Sequence, residues 1–419
     1  MLNGKNGTHP TPALSSSNGS SSAPVLNRYA HIVGWGMYVP QRVMTNDDLA
    51  RIVDTTDEWI TSRTGIRERR IASPKESTST LATQAGRAAL ELANIDPGDV
   101  DLVIVATCTP DHLFPATACL VQDALGCSKA GAFDVSAACS GFIYGLTVAT
   151  QMIRTGVMRT VLVIGAETLS RVINWRDRGT CVLFGDGAGA FVLQARETPG
   201  GLLSSVLRSD GSGGNSLILP AGGSRTPATF DTVRDNQHTL HMDGKAVYRF
   251  ATRVMTEAIK EVTAKSGVPL DHVQLIVPHQ ANQRIIDSSA RTLNLPPDRF
   301  VMNLDRYGNT SAASIPIAVC EAVRDGRLRA DDNVVLVGFG AGLTWGAGLI
   351  HWDATPAAEP TGIARIRRQL SYSFAGLRST ARRGWRQVEG LLFGSQSHEG
   401  GQEPPRRPKT AETTKTPER

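Results

Sequence analysis

The chain has 419 residues and 41% hydrophobic content, enough for one large domain or two of ordinary size, and no apolar run reaches the roughly 18 residues that a membrane span needs. Its formal net charge of +5 is unevenly placed: residues 354–419 hold 12 Arg and Lys against 6 Asp and Glu, residues 1–27 hold one Lys and no acid, and residues 28–353 keep 31 basic and 33 acidic side chains. The basic character belongs to the tail, so the body is read as making no use of nucleic acid. Six cysteines (108, 119, 127, 139, 181 and 320) form no C-x-x-C pair and no zinc-finger spacing. Without a secretory h-region they read as reduced cytosolic thiols, with no metal site.

Residues 1–27 are rich in Ser, Asn, Gly and Pro without hydrophobic periodicity, and are expected to be a disordered leader. Being nearly free of Arg, they make a poor organellar transit peptide. From about Tyr29 the signals become globular. Ala30–Met37 reads as a strand running into a glycine turn, and Asn46–Val53 as a capped helix. In Asp57–Arg67, Trp59 stands four residues before Arg63; an indole plane and a guanidinium so placed suit a nucleotide, although an ordinary amphipathic helix explains the pair equally well. A helix from Thr78 to Leu92, a buried strand from Val100 to Thr107, a polar turn up to Phe114 and a helix from Ala118 to Leu125 follow.

Next comes Asp134-Val-Ser-Ala-Ala-Cys-Ser-Gly-Phe142, where a strand-like run ends and a long helical pattern begins. Cys139 is expected in the first turn of that helix, whose unpaired amides and positive end favour a thiolate and can hold an oxyanion. The alternative is a buried structural cysteine. Beyond the helix, which ends near Gly156, lie a strand at Thr160–Gly165, a loop at Asn174–Thr180 and a glycine-rich strand at Gly185–Leu193, whose spacing is not a dinucleotide fingerprint.

The second half repeats this plan. Val273–Asn282, with His279, parallels Leu102–Thr107; Tyr307-Gly-Asn309-Thr-Ser-Ala-Ala-Ser opens a helix of small residues as Cys139 does; Val334–Gly342 matches Val161–Gly165, and Thr344–Trp352 matches Gly185–Leu193. Two copies of one strand–helix plan, 28–200 and 201–353, imply an α/β fold of stacked sheets around central helices. In such a pseudo-two-fold arrangement Cys139 and Asn309 occupy equivalent helix starts and converge. Cysteine, histidine and asparagine then form an activated-thiol set.

Four motifs in order, A-A-C-S-G-F at Cys139, P-H-Q-A-N-Q-R-I at His279, G-N-T-S-A-A-S at Asn309 and F-G-A-G-L-T-W-G from Phe339, carry a resemblance to the beta-ketoacyl-ACP synthase III family of the thiolase-like superfamily, from about Tyr29 to Trp352. The resemblance implies a duplicated, layered α-β-α-β-α fold and a ping-pong Claisen condensation of an acyl-CoA primer with malonyl-ACP. Cys139 takes the acyl group, and the backbone amides of Cys139 and Ala341 hold the oxyanion. His279 and Asn309 donate hydrogen bonds to the malonyl thioester oxygen, stabilising the enolate formed as CO2 leaves. It further implies Trp59 and Arg178 as the adenine sandwich for CoA, Arg63 near its phosphates and Asn282 near its pantetheine. Phe114 reaches across a homodimer to wall the partner's acyl pocket, and Lys245, Arg249, Gln280 and Arg284 meet the acidic carrier protein. A solvated helix face is the alternative for those basic residues. No bound cofactor is implied. A related condensing enzyme making a polyketide or quinolone, and a non-catalytic membrane-associated scaffold that keeps the fold, are the rival readings.

The chain departs from the family in two places. Gly340-Ala341-Gly342 replaces three glycines, which a backbone amide survives. Beyond the usual end near Trp352, apolar residues recur at Ile363, Ile366, Leu370, Phe374, Leu377, Ala381, Trp385, Val388 and Leu392 among seven arginines. The stripe reads as an interfacial helix within an extension spanning 354–395, giving a cytoplasmic enzyme that attaches reversibly to a membrane surface through 363–392. A helix docked on the body, or ordered by a partner, is the alternative. Residues 396–419 are expected to be disordered.

Overall fold

The apolar runs become central strands because helices cover both of their faces. The computed structural model describes residues 28–353 and, in the extension, Tyr372, Leu377, Thr380, Ala381, Gly384, Trp385 and Arg386. The first half contains β1 (Tyr29–Tyr38), α1 (Asp57–Thr64), α2 (Thr78–Ala93), β2 (Leu102–Ala106), α3 (Thr117–Leu125), β3 (Gly131–Val135), α4 (Gly141–Arg154), β4 (Thr160–Thr168) and β5 (Asp186–Arg196). The second contains β6 (Gly201–Ser209), α5 (Gly244–Ser266), β7 (Leu275–Pro278), α6 (Gln283–Leu293), α7 (Ser314–Arg324), β8 (Asp332–Gly340) and β9 (Thr344–Trp352). Every residue of β2 and β4 is buried.

The first sheet has the order β1-β5-β4-β2-β3, with β2 parallel to β3 and β4, and β5 antiparallel to β4 and β1. The second has the order β7-β8-β9-β6, with β7 parallel to β8 and the other pairs antiparallel. Strands β2, β4, β5 and β1 thus correspond to β7, β8, β9 and β6. The counterpart of β3 shrinks to one parallel bridge between Ile276 and Phe300.

Side-chain alternation sends successive strand residues into different layers. Val163 joins Phe142 and Leu146 of α4, Ile315 and Val319 of α7, and Leu336 of β8 in a core between the sheets. Leu162 and Ile164 face outward onto Leu81 of α2 and Val121 of α3. On the far side, Val335 and Val337 meet Phe250 and Val254 of α5 and Ile285 of α6. These are the five expected layers, with α4 and α7 in the middle.

Each central helix is entered through a 3-10 turn, Ala138–Ser140 before α4 and Ser311–Ala313 before α7. Ala138 and Ser311, at φ 45° and 48°, are matching left-handed positions in the two halves. The symmetric counterpart of Cys139 is therefore Ala312, and Asn309 lies two residues ahead of its turn rather than at an equivalent helix start.

Of the amphipathic extension, Tyr372 is half-buried against the outer layer over α2 and α3, with the Arg87 guanidinium 4.6 Å from its ring centroid. Leu377 and Trp385 are exposed. The other residues of 354–395, the leader 1–27 and the tail 396–419 lie outside the described residues. Among the described residues no helix is long and apolar enough to cross a membrane.

Candidate active site

Two glycines let the turns reach each other across the halves. A Cβ on Gly340, the last residue of β8, would lie 2.7 Å from the Cys139 amide nitrogen; one on Gly165 of β4 would lie 2.2 Å from the Ala312 carbonyl oxygen. Only glycine permits these approaches. Cys139, His279 and Asn309 consequently line one cavity of about 290 Å³, together with Trp59, Arg63, Arg178 and Asn282.

Cys139 is 6% exposed. Burial pushes its thiol up to about 12; hydrogen bonding from Ser311 and from its own amide opposes that shift, and the nearby Glu167 carboxylate adds to it. The resting sulfur is thus a thiol, contrary to the thiolate expected from the helix end: desolvation outweighs the terminal dipole. On its other side a second cavity, of about 120 Å³, is lined by Cys139, Ala341, Cys108, Ser311 and a set of apolar side chains that includes Leu169, Val172 and Leu240. Thr344, which sequence reasoning passed over, holds the oxyanion region together. Its Oγ1 lies 2.8 Å from Ser140 Oγ, 3.0 Å from the Ala137 carbonyl oxygen and 2.9 Å from that of Ala341.

His279 follows β7 and is 2% exposed, edge-on to Phe339 with centroids 5.3 Å apart. Burial lowers its pKa to about 3, so the imidazole is neutral. Its Nδ1 lies 2.7 Å from Ser314 Oγ, which also approaches the Ser311 carbonyl oxygen at 2.8 Å. That carbonyl already receives the Ser314 amide. With the Ser314 hydroxyl proton given to Nδ1, the imidazole carries its own proton on Nε2, which becomes a donor. Asn309 is oriented more directly. Its Oδ1 accepts the Ser311 amide at 2.8 Å, leaving its NH2 group for the cavity.

These residues recur in known proteins. The chain matches the family described as 3-oxoacyl-[acyl-carrier-protein (ACP)] synthase III over residues 133–211 and that family's C-terminal part over residues 263–352. It is 54% identical over 324 residues to beta-ketoacyl-[acyl-carrier-protein] synthase III of Caldanaerobacter subterraneus subsp. tengcongensis, covering 77% of this chain and 98% of that one. The chain belongs to the beta-ketoacyl-ACP synthase III family. The synthase of Symbiobacterium thermophilum is 56% identical over 321 residues, covering 77% of this chain and 97% of its own. The solved 3-oxoacyl-[acyl-carrier-protein] synthase III of Aquifex aeolicus VF5 superposes with a TM-score of 0.71 at 47% identity, covering 77% of this chain and 99% of its own. Members of this family are acyltransferase-type condensing enzymes.

Against that family background several expected contacts are refined. The Trp59 indole has the Arg63 guanidinium 4.6 Å and the Arg178 guanidinium 4.9 Å from its centroid, and Arg178 also donates to the Asp54 carbonyl at 3.0 Å. A base between Trp59 and Arg178 needs roughly 7 Å, two stacking contacts of about 3.5 Å, so Arg178 must swing away to admit one. Asn282 lines the cavity, but its amide is spent within the fold, donating to the Arg63 carbonyl at 3.0 Å and capping α6 through the Arg284 amide at 2.9 Å.

Gln280 corrects an expectation. Expected at the carrier-protein surface, it is 1% exposed, donates to the Pro278 and Val301 carbonyls and accepts from the Asn303 amide, so it is a core strut. Lys245, Arg249 and Arg284 are exposed, around Tyr248 at the cavity mouth, and Arg253 extends their row one turn along α5. Phe114 is 85% exposed and does not line the described cavities of its own chain.

The functional residues that sequence reasoning missed are Glu167, Ser311, Ser314 and Thr344. Glu167 had a readable signal, a carboxylate inside an otherwise apolar strand run, which marks a buried charge with a task.

Proposed function

We propose that the 290 Å³ cavity runs a two-stage Claisen condensation. An acyl-CoA enters past Trp59 and Arg63, and Cys139 sulfur attacks its thioester carbon while the Cys139 and Ala341 amides hold the oxyanion. CoA leaves, and malonyl-ACP docks against Lys245, Arg249 and Arg284. Its thioester oxygen receives hydrogen bonds from His279 Nε2 and Asn309 Nδ2, two neutral donors that stabilise the enolate as CO2 departs. The enolate carbon attacks the acyl-cysteine and releases a 3-oxoacyl-ACP, the first condensation of fatty-acid synthesis. No bound cofactor takes part.

The observation that carries this reading is the fixed direction of Asn309: with Oδ1 committed to the Ser311 amide, the cavity opposite Cys139 meets a donor and not an acceptor. The open outer edge of β3 and the exposure of Leu113 and Phe114, at 81% and 85%, support a homodimer in which Phe114 enters the partner. Six unpaired cysteines suit a reducing cytoplasm. Exposed Leu377 and Trp385 beside a run of arginines support peripheral membrane contact by the extension.

Incubation with acetyl-CoA followed by intact-mass analysis is expected to add one acetyl group to the wild type and none to Cys139→Ala. Subsequent malonyl-ACP should then release CO2 and discharge the adduct. An unmodified wild type would refute the reading.

A further inference from the structure

The condensation leaves open which group takes the proton of the Cys139 thiol. His279 is poorly suited, since burial holds its conjugate acid near 3 and its Nδ1 is engaged with Ser314. Behind the sulfur, however, lies a buried acid that the reaction as described does not use. Glu167, near the end of β4, is 0% exposed. Its Oε2 accepts from Thr107 Oγ1 at 3.1 Å, the Thr109 amide at 3.1 Å and Thr109 Oγ1 at 2.5 Å. Its Oε1 accepts from the Cys108 amide at 3.1 Å, Cys108 Sγ at 3.2 Å and Ser311 Oγ at 3.0 Å. Among the described residues no lysine, arginine or histidine forms an ion pair with it; the titratable groups that face it are the Cys108 and Cys139 thiols.

Two backbone amides in this shell can only donate, and the hydroxyls converge as donors, so the environment selects the ionised carboxylate despite its burial. Ser311 bridges from it to the nucleophile: the hydroxyl that donates to Glu167 is also within hydrogen-bonding reach of the Cys139 thiol. Having given its proton to Glu167, this oxygen presents lone pairs to the S–H.

Resting on the condensation proposed above, we infer that Cys139, Ser311 and Glu167 form a proton relay, in which Glu167 receives the thiol proton through the Ser311 hydroxyl during acyl transfer. Ser311 Oγ accepts the Cys139 proton as it passes its own to Glu167 Oε1, and the sulfur electron pair forms the bond to the thioester carbon. The bond to CoA sulfur breaks, and the CoA thiolate takes a proton from solvent. In the second stage the enolate carbon bonds to the acyl carbon, the Cys139 sulfur leaves with its electron pair, and the proton returns from Glu167 by the same path. The buried site thus carries one negative charge throughout, on carboxylate or on sulfur, and never two. This answers the like-charge cost that a thiolate beside an ionised Glu167 would incur.

The test is single-turnover acetylation of Cys139 by acetyl-CoA in the full chain, from pH 6 to 9, for the wild type, Glu167→Gln and Ser311→Ala. The second variant removes only the bridging hydroxyl and leaves Glu167 its other donors. The relay predicts a wild-type rate nearly independent of pH. It predicts at least tenfold slower acetylation in both variants at pH 7, rising close to tenfold per pH unit because ionisation must then come from solvent, with KM for acetyl-CoA unchanged. Variants that match the wild type in rate and pH profile would overturn the relay. So would a loss confined to Glu167→Gln with a lowered melting temperature and a flat pH profile, the mark of a strut. A wild type that takes no acetyl group would instead sink the reading of the site itself, and the relay with it.

Discussion

Burial alone depresses His279 to about 3, whereas an imidazole in the unfolded chain titrates near ~6.5. Below that value the unfolded chain binds a proton that the folded one refuses until about pH 3. The stability contributed by a neutral His279 is therefore complete above ~6.5 and is lost as pH falls through the window, at up to about 1.4 kcal/mol per unit. Urea unfolding between pH 7 and 4.5 should show a steeper loss for the wild type than for His279→Gln; parallel slopes would contradict the burial argument. For Asn309→Asp, the Ser311 amide keeps its acceptor while a carboxylate oxygen meets the developing enolate. Decarboxylation of malonyl-ACP should fall by about 10²–10³-fold, with acetylation of Cys139 retained. Measuring CO2 release and the Cys139 adduct on one sample separates the two stages.

At the scale of elements, strands and helices were readable where their periodicity was strong: the run 102–106 became β2 and the pattern after Cys139 became α4. The turns that aim the chemistry were not. Ala138 and Ser311 adopt positive φ, which carries no signature at an alanine or serine, because such a conformation is imposed by packing rather than preferred locally. Gln280 failed for a related reason. A polar residue beside His279 looks like surface until the Val301 carbonyl and the Asn303 amide, twenty-odd residues away, close around it. The interlock of the halves gives a test of its own. Gly165→Ala would press a methyl group onto the Ala312 carbonyl and should cost about 1–3 kcal/mol, seen as a lower melting temperature, whereas Gly211→Ala, with open space at its Cβ, should change little.

For the whole molecule, the free edge of β3 and the exposed Leu113 and Phe114 predict a dimer of 44.8 kDa chains. Phe114→Glu should shift sedimentation towards the monomer and reduce condensation; an unchanged dimer would place the interface elsewhere. A chain ending at Asp353 should keep condensing activity, since both matched family segments end before that residue. It should lose co-sedimentation with anionic vesicles relative to the full chain; equal binding would remove the membrane role of the extension. By itself the sequence determined the duplicated architecture and the cysteine, histidine and asparagine set, because hydrophobic period and short motifs are local properties that survive without a fold. Only the tertiary structure decided that the sulfur rests protonated, that Asn309 presents its NH2 group, that Gln280 is buried and that Glu167 lies behind the nucleophile. Desolvation and hydrogen-bond direction depend on neighbours brought from the other half of the chain, and no local pattern encodes them.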